Sequence, residues 1–211
     1  ISYYFNDGDF VPKYMDSVKG NSLEEFAASQ IYFMPNDSEN FSYLILASFD
    51  VTDDEEADVK AYLGSSYQIY MSANNLYTTV YKYNYDIETK VYSHSTFILR
   101  FSIEDGELKY ESFGQIKGSP LNQFSMDEYE GVFRIAVTDY EYTQSETIIN
   151  NKLYLLDATT SGEMELISEL GGLGKPGERI YAVRYINEIA YVVTFVNTDP
   201  LYKLDLSNPE N

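Results

Sequence analysis

From Leu76 to Tyr85 the chain reads LYTTVYKYNY, and its side chains sort by parity. Tyr77, Thr79, Tyr81, Tyr83 and Tyr85 fall on one side, and Leu76, Thr78, Val80, Lys82 and Asn84 on the other. A strand sends successive side chains to opposite faces, so a run like this is satisfied only as a two-faced ribbon in a sheet. The alternation returns in TFILRFSI, where Phe97, Leu99, Phe101 and Ile103 oppose Thr96, Arg100 and Ser102. It returns again in VFRIAVT, where Phe133, Ile135 and Val137 oppose Arg134 and Thr138. Residues 189–196, IAYVVTFV, have no polar face beyond Thr194, which predicts a strand covered on both sides near the middle of the assembly. Helical spacing is confined to SLEEFAAS, residues 22–29. There Ser22 and Glu25 have capping-box spacing and Leu23, Phe26 and Ala27 share a face, predicting one short helix of two turns at most.

Turn residues separate the ribbons: Ala73-Asn74-Asn75, Asp105-Gly106, Glu130-Gly131, Thr160-Ser161-Gly162 and Asn187-Glu188. Short strands joined by tight turns make antiparallel hairpins. Residues 86–95 and 139–151 are longer and polar, and are expected as surface loops. Three stretches then align as repeats, beginning at Ile69, Phe124 and Tyr181, with Tyr77, Phe133 and Tyr191 equated at intervals of 56 and 58 residues. IYFM, FSYLILASFDV and DVKAYLGSS imply an earlier unit. The fold expected is all-β: tandem four-stranded antiparallel blades forming part of a β-propeller, about three and a half modules in all. Their approximate bounds are 29–66, 67–119, 120–175 and 176–211 in one domain, after an irregular segment 1–28.

Composition narrows the function. Acidic residues number 34 and basic ones 14, a net charge of −20, which opposes nucleic-acid backbones and anionic lipid. No apolar run is long enough for a membrane-spanning helix, so no membrane insertion is expected. The absence of cysteine excludes disulfides, thiolate metal sites and cysteine nucleophiles. With 22 Tyr and 12 Phe, most rings are expected in sheet cores, leaving a minority for a recognition surface. The first residue is Ile1, with no basic and apolar leader after it, which suggests a processed or trimmed piece.

YLGSSYQIYMSANNLYTT (62–79), GSPLNQFSMDEYEGVFRIAVT (118–138) and PGERIYAVRYINEIAYVVTFVNTDPLYKLDLSNPEN (176–211) resemble the prokaryotic secreted β-propeller family, whose C-terminal propeller is distantly related to the tryptophan-aspartate repeats. The resemblance implies an exported protein at the cell surface or outside it. It supplies no catalytic motif. After Leu206-Ser207-Asn208-Pro209 the expected closing strand is missing, so exposed strand edges and edge-to-edge self-association are expected.

Candidate chemistry is sparse. The acidic run from Asp50 to Asp58 offers hard oxygens that suit calcium, but it lacks the calcium-loop spacing and reads better as a solvated hairpin loop. Asn6-Asp7-Gly8-Asp9 echoes such a loop and reads as a turn. His94, the single histidine, is expected exposed in the 86–95 loop, and a Ser-His-acid arrangement around it has no sequence support. Gly171-Gly172-Leu173-Gly174-Lys175-Pro176-Gly177 lacks phosphate-loop spacing and reads as a connection between modules. Tyr3-Tyr4-Phe5 with Phe10, and Tyr140 with Tyr142, are candidates for sugar or peptide contact. No catalytic, cofactor or metal residue is assigned. The function expected is a noncatalytic extracellular or cell-surface scaffold or binding domain with a protein or glycan partner. The alternatives are a secreted carbohydrate- or peptide-acting hydrolase using loop carboxylates, and a calcium-stabilised surface assembly module.

Overall fold

Hairpins with two-residue loops dictate most of the architecture. Asp105-Gly106 and Glu130-Gly131 have positive φ at both positions, 49° and 81°, then 52° and 79°. That backbone matches the twist of antiparallel strands, and glycine adopts it without a Cβ penalty. The computed structural model describes residues 11–20, 22–33, 42–52, 54–64, 68–196 and 200–210.

In the N-terminal unit, β1 (Lys13–Tyr14) pairs antiparallel with β2 (Glu24–Glu25). β3 (Ile31–Phe33), β4 (Tyr43–Ser48) and β5 (Asp58–Leu63) form a sheet of order β3-β5-β4, with β3 parallel to β5. The earlier unit is thus made of strands, but it is not a simple meander. The helix expected over 22–29 is replaced by β2 and a single 3-10 turn, Ala28–Gln30. Two turns gain too few hydrogen bonds to offset nucleation. Here strand pairing leaves Phe26 buried on Val59 and Ala61, its ring 4.9 Å from that of Tyr14.

The first blade is β6 (Gln68–Met71), β7 (Asn75–Asp86), β8 (Val91–Glu104) and β9 (Glu107–Lys117), an antiparallel meander. The second is β10 (Met126–Tyr129), β11 (Val132–Tyr142), β12 (Thr147–Asp157) and β14 (Leu166–Leu173). Between β12 and β14, a short β13 (Gly162–Glu163) reaches back and pairs parallel with β9, capping that outer edge. The third blade is β15 (Arg179–Ile186), β16 (Ile189–Phe195) and β17 (Leu201–Asp205).

Strand registers correct the repeat. The Cα partners Tyr70 and Tyr77, Asp127 and Arg134, and Arg184 and Tyr191 recur at steps of 57 residues. The residue equivalent to Tyr77 is therefore Arg134, not Phe133. A one-residue slip reverses the face. Phe133 points back at the first blade, where its ring lies 4.2 Å from that of Tyr77, with 19° between planes.

Alternation supplies each blade with two faces, and cores form between blades. Leu76, Val80, Phe97, Leu99 and Phe101 pack on Leu46 and Tyr62 of the N-terminal unit. Tyr77, Ile98 and Ile116 meet Phe133, Ile135, Tyr154 and Leu156 of the second blade. Ala136, Leu153 and Leu155 meet Ile180, Val183 and Val192 of the third. Strand β16 differs from expectation: Ala190, Val192 and Thr194 are buried, while Phe195 and Val196 on its other side are 40% and 46% exposed. Only one face of that strand is covered.

Polar pins lock the blades. The Glu128 carboxylate accepts from Ser72 Oγ (2.7 Å), Asn75 Nδ2 (3.0 Å) and Tyr77 OH (2.9 Å), tying the second blade to the first. Buried Arg134 pairs with Asp127, donates to Asn187 O at 2.6 Å, and lies between the Tyr129 and Tyr185 rings, tying the second blade to the third. No helix among the described residues is long and apolar enough to cross a membrane.

Candidate functional site

Blades that share a 57-residue first hairpin differ in their second. β7 and β8 have 12 and 14 residues, β11 and β12 have 11 each, and β16 and β17 only 7 and 5. The segments 86–95 and 139–151 are thus not surface loops. They are largely hairpin continuations, because period-two alternation runs through Tyr81, Tyr83 and Tyr85 and keeps the ladder intact to Asp86 and Val91. Burial stops near Val80 and Thr96, so the tips project beyond the interblade core.

The two projecting hairpins meet. Strand β9 ends at Lys117, leaving that edge of β8 open, and Tyr142 of β11 pairs with Tyr92 there. Paired residues share a face. Tyr85, Tyr92 and Tyr142 therefore form one row across three strands, since Tyr85 is the partner of Tyr92. Two residues inward, Tyr83 is the partner of His94, and the Tyr140 ring lies 5.9 Å from the His94 ring. Six rings thus tile one sheet face in two rows of three. The Tyr85 and Tyr92 rings stack at 4.4 Å, and Tyr140 and Tyr142 are 6.1 Å apart with 8° between planes. Tyr83 is 82% exposed, and Tyr85, Tyr92 and Tyr142 are about half exposed. The opposite face of the first hairpin is polar, with Asn84 donating to Ser95 Oγ at 3.2 Å.

His94 departs from expectation. It is half-buried on β8, not in a loop, and its Nε2 lies 3.1 Å from Ser119 Oγ. Burial lowers its pKa, opposed by Asp139 and by a hydrogen bond to the Thr138 backbone. Asp139 is 2% exposed, and its Oδ1 has no hydrogen-bond partner among the described residues. Burial raises its pKa, Glu141 adds to this, and Lys152, His94 and Lys117 oppose it. Serine, histidine and carboxylate do assemble here, but the adjoining backbone donors are committed. Gly118 N–H donates to His94 O and Ser119 N–H to Thr138 O, each at 3.0 Å. An oxyanion would find neither of those two donors free. The contacts clamp the corner instead. A Cβ on Gly118 (φ +85°) would sit 3.0 Å from Asp139 Cα, so the blades approach most closely where a side chain is absent.

Other sequence candidates are placed as follows. Asp50 accepts from the Thr52 backbone and hydroxyl, and Asp58 pairs with Lys60, so two carboxylates of the acidic run hold its own ends. Among the described residues no group of three His, Asp or Glu is arranged to hold a metal. Asn6-Asp7-Gly8-Asp9, Tyr3-Tyr4-Phe5 and Phe10 lie outside the described residues. The glycine-rich segment links β14 to β15, and there Lys175 N–H donates to the Glu178 carboxylate at 3.0 Å, where a phosphate loop would present free donors.

One feature the linear reading missed is a recess of about 460 Å³ where the first strands of the three blades converge, lined by Ile69, Met71, Phe124, Asp127, Arg184 and Tyr185. The Arg184 guanidinium covers the Phe124 ring at 4.4 Å. Its walls lie 57 residues apart along the chain, so no local motif announces it.

Comparison with known proteins places this architecture. An uncharacterized protein of Methanocaldococcus jannaschii is 40% identical over 116 residues, which cover 55% of this chain and 17% of that protein. An uncharacterized protein of Archaeoglobus fulgidus is 41% identical over 117 residues, covering 55% and 16%. The chain thus matches about a sixth of the length of these relatives. No solved structure matches. The sequence profile of the beta propeller domain matches residues 4–211, and with blades stacked face to face the chain belongs to that family.

Proposed function

We propose that this chain is a noncatalytic binding and scaffold domain of an exported or cell-surface protein, and that the six-ring face is where it meets its partner. The observation that supports this is the asymmetry between hairpins. The 57-residue hairpins are alike in all three blades, whereas the added length in two adjacent blades builds one exposed aromatic surface. Extra segments on a repeat scaffold commonly carry binding. Nucleic acid is disfavoured as partner by the net charge of −20.

An array of immobilised glycans and peptides tests the reading, probed with the wild type and with Tyr92→Ala/Tyr142→Ala. Retention without turnover, lost in the variant while the melting temperature changes little, is the expected outcome. Turnover of a glycan or peptide that disappears on a single Asp or Glu substitution would replace the binding domain with a hydrolase. Self-association that requires calcium would favour surface assembly.

A further inference from the structure

We infer that the ligand of the six-ring face is a neutral polysaccharide chain lying flat across β7, β8 and β11. This rests on the binding reading above and adds the chemistry of the ligand.

Shape is the first argument. The rings lie on three neighbouring strands, about 4.8 Å apart across the sheet and about 6.7 Å apart along each strand. Small molecules need concavity to bury most of their surface. A sheet face tiled with rings on the scale of a pyranose suits an extended chain of sugars instead.

Surface chemistry is the second. A pyranose has apolar C–H faces and a rim of hydroxyls, and tyrosine repeats that division with an apolar ring and a polar tip. Five of the six positions are tyrosine and the sixth is His94, with no aliphatic side chain among them. The exposed aliphatics nearby, Ile87 and Ile148, lie outside the six positions, in the β7–β8 turn and on β12. A protein interface centres on anchors fitted into pockets within an apolar core. This face has neither the aliphatic core nor a pocket.

Charge is the third. None of the six side chains is a carboxylate, lysine or arginine. A polycation would find no ion-pair partner on the face itself, and a polyanion would meet a chain of net charge −20. Neutral sugars pay neither penalty. The rings are also ordered in advance, by the Tyr85–Tyr92 stack and by the His94–Ser119 contact, which reduces the entropy lost on binding.

Affinity electrophoresis through gels containing hydroxyethyl cellulose, galactomannan or alginate tests the assignment, beside the peptide array. At least one neutral polymer is expected to retard the protein, and about 0.5 M salt should leave that retardation intact, since screening weakens only charge attraction. Tyr83→Ala/Tyr142→Ala is expected to weaken binding about tenfold or more. Tyr83→Phe should retain it. Tyr83 is 82% exposed, so its loss leaves the core intact, and an unchanged melting temperature verifies that. The assignment falls if no neutral polymer retards the chain, if only alginate does so, or if the double variant binds like the wild type. Peptides retained through the rings while sugars are not would overturn the glycan and leave the binding domain standing. Retention of neither class would overturn both.

Discussion

Asp139 concentrates the cost of joining two blades. It lies where Gly118 and Thr138 bring the first and second blades together, and burial disfavours its charge. The sign of the linkage follows. An acid whose folded pKa is raised holds its proton longer when folded, so stability is fullest below the unfolded value of about 3.9 and declines as pH rises toward the folded one. Asp139→Asn is therefore expected to stabilise the protein at pH 7 and to have little effect near pH 3.5. Urea unfolding of both proteins at the two pH values measures this, and a variant destabilised at pH 7 would show that the carboxylate is a net attraction. Little of this was legible in the sequence, where Asp139 was one acid among 34. Its burial depends on a contact with residues about twenty positions earlier, at the end of another blade.

Hairpins are the unit in which this chain repeats. The first hairpin of each blade keeps its 57-residue register, and the second varies in length. That division explains which parts could be read in advance. Tyr77, Thr79, Tyr81, Tyr83 and Tyr85 were legible as one face because alternation is local. The pairing of Tyr92 with Tyr142 was not, because two separate hairpins must first be brought side by side by the core beneath them. Glu128 is the matching case in the core, a surface-looking acid that takes three side-chain hydrogen bonds from the neighbouring blade. Removing it strands those donors, and Glu128→Ala is expected to cost about 2–3 kcal/mol. Glu130→Ala, at an exposed turn next door, should stay within about 0.5 kcal/mol. Chemical denaturation midpoints of the two variants make the comparison, and equal midpoints would remove Glu128 from the interblade pins.

At the scale of the molecule, blade faces are covered in sequence until the third blade, whose far side displays Tyr181 (63% exposed), Phe195 and Leu201 (64%). Strand β17 pairs only with β16 among the described strands, so an unpaired edge adjoins that apolar side. A second copy of the chain can satisfy both at once, an apolar face against its like, while the charge of −20 on each copy resists the encounter. Association is therefore expected to strengthen with ionic strength, as screening shortens the reach of the repulsion. Light scattering from low to about 1 M salt measures it. A mass that stays monomeric at every salt and protein concentration, or that is unchanged by Tyr181→Glu/Leu201→Lys, would sink it.

Local chemistry in the chain determined that it would be strands, where it would turn and that the strands would group in blades, because parity and turn residues act over a few positions. A short-range signal misjudged the ends of those strands: 86–95 and 139–151 looked like loops, and SLEEFAAS looked like a helix, since polarity alone does not reveal a partner strand. Tertiary structure decided the rest. It chose which parity of each ribbon faced which neighbour, exchanging Phe133 for Arg134 as the counterpart of Tyr77, and it set Tyr142 beside Tyr92. Those outcomes depend on burial between segments far apart in the chain, and burial is a property of the folded whole rather than of any run of residues within it.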